Sequence, residues 1–412
     1  MLLLVINLAP EVVPILWPLP LNESLAISAA LYAGVLFLIY LQSKWIRPRN
    51  ISRKKTMSLI ANIELIGCFI FVYFFAGVQY HFPLINNSDT LLSAATLFLY
   101  LLGLGLFHYT SYNWLQAKTQ INFLLPFLIP YFTLTVSLDL LSWLLGIREG
   151  WISTIIALTL LTISLLILPY FIQKFWNCTP LKDHQLHERL ENLCRKARFT
   201  HGGMNTWSIL PNAITAGIIG IIPPFRYVMF TPKLLQMLAP EQIEAILAHE
   251  IGHSKCKHLL LYPFIIFGMG VSVGLFFIFV DNTLEPHFYN YFSPHVTPLL
   301  IFIPYAVIMW LYFRYVFGFF SRLFERQADL YVFDLGIPPE HMISSLDHIA
   351  IASGGIHHLP SWHHFGIQER IDYLEKAIET PSLISRHHLK VKVCVGLYLI
   401  ILTLGIFFLF WY

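Results

Sequence analysis

Charge is what this sequence has least of. Only 12 % of its 412 residues are Asp, Glu, Lys or Arg, while 57 % are hydrophobic. A soluble domain carries about 25 % charged residues, so the composition excludes a water-soluble globule and indicates a membrane protein. Cysteine is sparse as well: Cys68, Cys178, Cys194, Cys256 and Cys394 show no pairing rhythm. Three of them fall in segments read below as cytoplasmic and two in membrane spans, which argues against a disulfide framework. The apolar stretch 1–20 has no basic residue and contains several prolines, so it does not read as a cleaved secretory signal. An interfacial or re-entrant segment fits it better. The net charge of +3 is small, and the basic residues cluster next to apolar segments as topological anchors, which gives a nucleic-acid role no support.

Long apolar runs dominate what is present. Eight segments approach the 20 residues needed to cross a bilayer: Leu25–Leu41, Ser58–Val78, Leu91–Phe107, Phe123–Leu145, Ile152–Ile172, Leu259–Val280, Pro298–Phe317 and Val391–Phe410. The short turn Gly146–Gly150 makes the fourth and fifth an antiparallel hairpin. Lys44, Arg47, Arg49, Arg53, Lys54 and Lys55 follow the first span, so that linker is expected in the cytoplasm. Threading from there puts Gln173–His258 and Phe319–Lys390 on the same side. Asp281–Thr297, on the opposite side, has no Lys or Arg; only Arg148 breaks the pattern. Both termini are then expected outside, in a multi-pass protein of the cell membrane. Glu64 and Asp139 lie within expected spans, either as functional carboxylates or as satisfied interhelical hydrogen-bonding groups.

The cytoplasmic segments carry the chemistry. In Leu181–Arg198, the residues Leu186, Leu190, Leu193, Cys194 and Ala197 follow the helical period. Asn205–Thr231 is rich in β-branched and aromatic residues and is broken by prolines and glycines, so it reads as a small sheet. Pro240-Glu241 then opens a helix containing His249-Glu250-Ile251-Gly252-His253. This is H-E-x-x-H. Two histidines four residues apart share one helix face and can reach one metal ion. Glu250 lies about 100° round the helix from His249, close enough to hold a water beside that ion.

A catalytic zinc usually has three protein ligands and one open position. A third histidine at the H-E-x-x-H-x-x-G-x-x-H spacing would fall at position 259, which is Leu, and Cys256 stands at the Gly position. His258, one residue off that spacing, is read as supporting or interfacial. Cys256 points away from the ligand face and is read as packing. Further on, Ser321-Arg322-Leu323-Phe324-Glu325-Arg326-Gln327-Ala328-Asp329 follows the seventh span and is expected to be helical. Glu325 and Asp329 share a face. Glu325 can ligate the metal, and Asp329 can accept the free ring N–H of a ligating histidine. The competing reading is a solvated charged face, because Arg322 and Arg326 alternate with the acids.

H-E-I-G-H followed, after a span, by S-R-x-x-E-x-x-A-D resembles the integral-membrane zinc metallopeptidases of the HtpX and CAAX prenyl endopeptidase type. The resemblance runs from about Leu181 to Leu374. Pro211-Asn212-Ala213 with Gly217 is similar to the family's N-A-x-x-x-G edge strand, which implies that Asn212, Ala213 and Gly217 bind substrate. Arg226–Thr231 resembles the strand before its catalytic helix. Ser361-Trp362-His363-His364 through Arg370-Ile371 and Leu374 resembles its H-P-x-x-x-x-R-I-x-x-L motif, with Phe365 in place of the usual Pro. This implies that His364, favoured over His363 on spacing, stabilises the transition state with Arg370 nearby.

The resemblance implies one Zn2+ per chain, held by His249, His253 and Glu325, with Glu250 as catalytic base and Asp329 supporting a ligand. The expected fold is a multi-pass α-helical membrane protein with about eight transmembrane helices and a cytoplasmic α+β zincin-like metallopeptidase domain. The expected organisation is an N-terminal membrane domain 1–175 and a metallopeptidase domain 176–390, interrupted by spans at 259–280 and 298–317. A C-terminal span, 391–412, completes it. The expected activity is hydrolysis of peptide or membrane-protein substrates at the bilayer, with the site facing the cytoplasm. A transporter or channel, and an inactive receptor keeping the fold, are the alternatives. The spaced cytoplasmic motifs weigh against the first and the intact Glu250 against the second. Nothing in the sequence indicates an oligomeric state.

Overall fold

In the computed structural model the described residues are 20–45, 60–69, 72, 81–82, 88–111, 114–146, 151–207, 209, 213–284, 290–291, 297–359 and 365–411. The chain divides into two compact units, Met1–Trp176 and Asn177–Tyr412.

The first unit is helical throughout its described residues: α1 (Leu21–Trp45), α2 (Ile60–Phe69), α3 (Asp89–Ser111), α4 (Trp114–Leu145) and α5 (Trp151–Phe175). Neighbouring helices α3 and α4, and α4 and α5, pack side by side. Their surfaces are apolar all round, and large side chains stay uncovered: Phe98 is 68 % exposed and Trp143 80 %. In water such faces would be driven together; in hydrocarbon they need no protein partner. Gly146 closes α4 in the left-handed region (φ +64), where its N–H reaches back to the carbonyl of Ser142 at 3.1 Å. A residue with a side chain is strained there, which is why the sequence turns at glycine.

The second unit joins a small sheet to helices. Its elements are β1 (Thr179–Pro180), α6 (His184–Lys196), β2 (Gly203–Thr206), β3 (Ala216–Ile219), β4 (Tyr227–Phe230), α7 (Pro232–Met237), α8 (Pro240–Lys255), α9 (His258–Phe279), α10 (Thr297–Leu311), α11 (Gly318–Asp334), α12 (Pro339–Ala352), α13 (Ile367–Glu379) and α14 (Ser382–Trp411). Strand order is β1-β2-β4-β3, with β2 parallel to β4 and β3 antiparallel to it. β3 is thus an edge. Thr231 fastens it: its N–H donates to the Thr215 carbonyl at 3.0 Å, and its hydroxyl accepts from the Thr215 N–H at 3.1 Å.

The amphipathic pattern of α6 places Leu186, Leu190, Leu193 and Cys194 inside, and Asp183 caps it by accepting the Leu186 N–H at 3.0 Å. α8 starts at Pro240, where the missing N–H costs nothing, and Gln242 Oε1 accepts the Ala239 N–H at 3.0 Å. The core gathers α6, α8 and β4 through Leu190, Phe230, Leu247 and Ile251, all fully buried, and β2 through Met204. Each such side chain contributes about 1.5–3 kcal/mol through removal from water.

Seven helices of the described residues are long and apolar enough to cross a membrane, six of them ending or beginning close to the expected spans. The second expected span, Ser58–Val78, is described only as the shorter apolar helix Ile60–Phe69, and its remainder is mostly outside the described residues. Helix α14 begins at Ser382, ahead of position 391, and packs against α9 and α11. The chain is a multi-pass α-helical membrane protein. Between α8 and α9 the helix breaks: Lys257 adopts the left-handed conformation (φ 62), so the motif helix does not run straight into the next span. The helical path from α10 to α11 is carried through a π-turn, Tyr312–Phe317.

Candidate metal centre

Two helices build the centre, and a glycine sets their separation. α8 and α11 pack against each other, and a Cβ on Gly252 would lie 2.8 Å from Tyr331 Cβ and 3.2 Å from the Ala328 backbone. The missing side chain at Gly252 lets the helices approach closely. That approach brings Glu325, one turn before Ala328, to the face carrying the two histidines.

Three ligand atoms converge. His249 Nε2 and His253 Nε2 are 3.2 Å apart, Glu325 Oε1 lies 3.4 Å from His253 Nε2, and Glu325 Oε2 lies 3.7 Å from His249 Nε2. All three residues offer atoms within 4.8 Å of one another, and they are the group among the described residues that could hold a metal ion. Bonds of about 2.05 Å to a tetrahedral ion give ligand–ligand edges of about 3.3 Å, so the spacing fits a small divalent cation. The donor set agrees: three carboxyls, Glu250, Glu325 and Asp329, gather with two imidazoles and the guanidinium of Arg370.

The supporting contacts are buried. Asp329 Oδ1 lies 2.8 Å from His249 Nδ1. Arg370, on α13, donates to Asp329 through Nε at 2.8 Å and Nη2 at 2.6 Å, a bidentate pair, and its Nη1 is 3.9 Å from Glu325 Oε2. Burial opposes the Arg370 charge, but Asp329 and Glu325 raise its pKa further. The solvated-face reading of α11 therefore fails: Glu325, Gln327, Ala328 and Asp329 all face inward. Desolvation pushes the Glu250 carboxyl above the ordinary carboxylate range and Glu325 adds to it, while His249, His253 and Arg370 pull the other way. For His253, burial favours the neutral ring, yet the hydrogen bond and charge of Glu325 raise its pKa overall.

Other expected residues sort as follows. Gly217 stands in edge strand β3, opposite Met229, while Ala213 precedes the strand. Asn212, His363 and His364 lie outside the described residues. β3, an edge strand of the described sheet, packs against α8, the helix of the metal ligands. Cys256 takes no part in the ligand group, and burial pushes its thiol up to about 11, with Asp334 adding to the effect. His357 pairs with Asp347 at 2.9 Å. In the first unit, Glu64 accepts from Gln42 Nε2 at 2.6 Å. Asp139 accepts the Ser88 hydroxyl at 2.6 Å and the Thr90 N–H at 3.1 Å. Asp139 is a satisfied interhelical group, whereas Glu64 pairs through Oε1 alone and keeps Oε2 buried without a partner among the described residues.

Sequence reasoning missed two features. Arg326 lies between aromatic rings, 3.8 Å from the Phe365 centroid and 4.0 Å from that of Tyr373, and it donates to Glu369 at 3.1 Å. This fixes Phe365, where a Pro is usual in the motif, to the ligand-bearing helix. Gln327 bridges two histidines, His258 and His388. Its place between Glu325 and Asp329 was the available signal.

Residues 180–378 match the family described as Peptidase family M48. Over 195 residues the chain is 30 % identical to a CAAX prenyl protease 1 homolog of Arabidopsis thaliana, covering 44 % of this chain and 43 % of that protein. It is 26 % identical over 217 residues to CAAX prenyl protease 1 of Saccharomyces cerevisiae, covering 45 % and 46 %. It is 27 % identical over 125 residues to a Protease HtpX homolog of Methanocaldococcus jannaschii, covering 27 % and 43 %. The chain thus spans less than half the length of these curated relatives. The crystal structure of S. mikatae Ste24p has the same fold at a TM-score of 0.52 and 17 % identity, covering 87 % of this chain and 100 % of that one.

Proposed function

From the Peptidase family M48 domain that this membrane chain carries at residues 180–378, we propose a membrane-embedded zinc endopeptidase that cuts peptide or membrane-protein substrates. One observation carries the reading: two imidazole nitrogens of α8 and one carboxylate of α11 converge at tetrahedral-edge spacing. His249, His253 and Glu325 would hold the ion. When bound, zinc supplies Lewis-acid polarisation of the scissile carbonyl and makes water acidic enough to attack near neutral pH.

The chain's own groups do the rest. Glu250 takes a proton from the attacking water and returns it to the leaving amine nitrogen. Asp329 fixes the His249 ring through Nδ1, leaving Nε2 free to ligate, and Arg370 holds Asp329 in turn. This makes Arg370 a positioning residue. The resemblance assigns His364 to the developing oxyanion, a contribution of about 3 kcal/mol for one such donor. An extended substrate adds along the open edge of β3 beside Gly217, with backbone pairing for affinity and side-chain pockets for specificity. The basic segments flanking the spans put this site on the cytoplasmic side and both termini outside.

The name CAAX prenyl protease 1, carried by several relatives, suggests prenylated CAAX peptides as one substrate type; membrane proteins are the other type tested. The test is to purify wild type and Glu250→Gln, quantify bound zinc, and assay both on a prenylated C-terminal peptide and on a membrane-protein substrate. Zinc is retained and cleavage falls about 10²–10⁴-fold. Normal cleavage by the variant removes Glu250 as the base.

A further inference from the structure

The two histidine ligands have different supports. His249 presents Nδ1 directly to a carboxylate, Asp329, at 2.8 Å. His253 Nδ1 meets another imidazole instead: His258 Nδ1 lies 3.0 Å away. Between two neutral rings, one nitrogen must donate and the other accept, and the contact alone does not say which. If His258 donates, the proton of His253 moves to Nε2, and that nitrogen no longer has a lone pair for a metal.

The contacts beyond His258 decide the direction. His258 Nε2 is 2.9 Å from Gln327 Oε1, and Gln327 Nε2 is 2.8 Å from His388 Nδ1. His388 Nε2 faces the Asp334 carboxylate at 3.8 Å. The amide NH₂ of Gln327 can only donate, so His388 Nδ1 accepts from it through a lone pair and the His388 proton stays on Nε2, on the Asp334 side. The amide oxygen then faces His258 and accepts from its Nε2–H. His258 Nδ1 is left with a lone pair and accepts from His253 Nδ1–H, which leaves His253 Nε2 open toward His249 and Glu325. Each group uses its donor and acceptor once and in one sense. The helix break makes this possible. On a straight helix His258 would point about 140° away from His253, but left-handed Lys257 redirects the chain, and the His258 ring stacks on Phe324 at 4.3 Å.

We propose that His258 and Gln327 are positioning residues: with His388 they form a directional relay that holds His253 in the tautomer able to bind metal. This rests on the metallopeptidase reading above. The experiment uses the full chain in detergent, with zinc affinity measured by competition against a chromophoric chelator and the visible absorption bands of the Co2+-substituted protein as a second readout. His258→Phe keeps a ring to stack on Phe324 but has no acceptor. Gln327→Met keeps length but not polarity. Each is expected to weaken zinc binding 10–100-fold and to shift the Co2+ bands. Gln327→Glu still accepts from His258 Nε2–H and is expected within about threefold of wild type; a mere packing role predicts that Gln327→Met, which fills the same space, is retained as well.

Wild-type affinity in folded His258→Phe or Gln327→Met overturns the relay, as does a loss in Gln327→Glu equal to that in Gln327→Met. His253→Ala separates the two levels. If it binds zinc as wild type does, the metal site itself is wrong. If it loses zinc while the relay variants keep it, only the relay falls.

Discussion

Carboxylates sit between helices in both units, and their partners differ in kind. In the first unit Glu64 and Asp139 meet an amide, a hydroxyl and a backbone N–H, all neutral. In the second, Glu325 and Asp329 meet two imidazoles and a guanidinium. Neutral donors hold a carboxylate in place without bringing a ligating base beside it. Basic rings and a guanidinium hold it in a fixed place among ligating atoms, where its charge is available to a metal. A carboxylate inside an apolar span is thus a weak indication of chemistry until its partners are known.

The sharpest way to break this contrast is to remove one carboxylate from each unit. Glu325→Ala is expected to lower metal affinity by at least about 100-fold, whereas Glu64→Gln leaves bound metal unchanged; metal analysis of the purified variants reads both. Equal occupancy in all proteins would erase the distinction. Next comes Arg370→Ala, which leaves Asp329 buried with one partner fewer. The expected destabilisation is about 3–5 kcal/mol, seen as a lowered thermal midpoint in detergent. A smaller effect is expected for Asp139→Ala, which removes the acceptor for the Thr90 N–H at the start of α3. That change costs about 1 kcal/mol and leaves proteolysis intact. The smallest tests proximity alone. Cys256 is close in sequence to His253, but burial raises its pKa to about 11, so the thiol is protonated at neutral pH. Cys256→Ser should keep metal occupancy, and the native thiol should alkylate at pH 8 on the order of 100-fold more slowly than a free one.

Much of the candidate site was legible because it depends on short-range helix geometry. His249 and His253 share a face by their spacing, and Glu325 and Asp329 share another. The multi-pass character was legible from apolar length. Three things were not. His258 seemed off-register, because the register breaks at Lys257, whose left-handed backbone no spacing rule reports. Arg370 was expected near His364 at the transition state, and its two-nitrogen bond to Asp329 was not foreseen. Arg326 and Gln327 looked like part of a charged surface, because their partners Phe365, Tyr373, His258 and His388 lie on other elements.

The sequence by itself determined that this chain crosses a membrane repeatedly, and that one helix carries paired imidazoles with a carboxylate beside them. Those properties follow from composition and from the 3.6-residue turn, which act within a few residues. The tertiary structure alone decided that α11 delivers its carboxylate to that pair, and which ring nitrogens of His249 and His253 are left facing it. These depend on how closely α8 and α11 approach at Gly252 and on which distant donors and acceptors the packing brings together. Helical periodicity orders residues along a chain, whereas convergence between elements is set by packing and by satisfying buried polar groups.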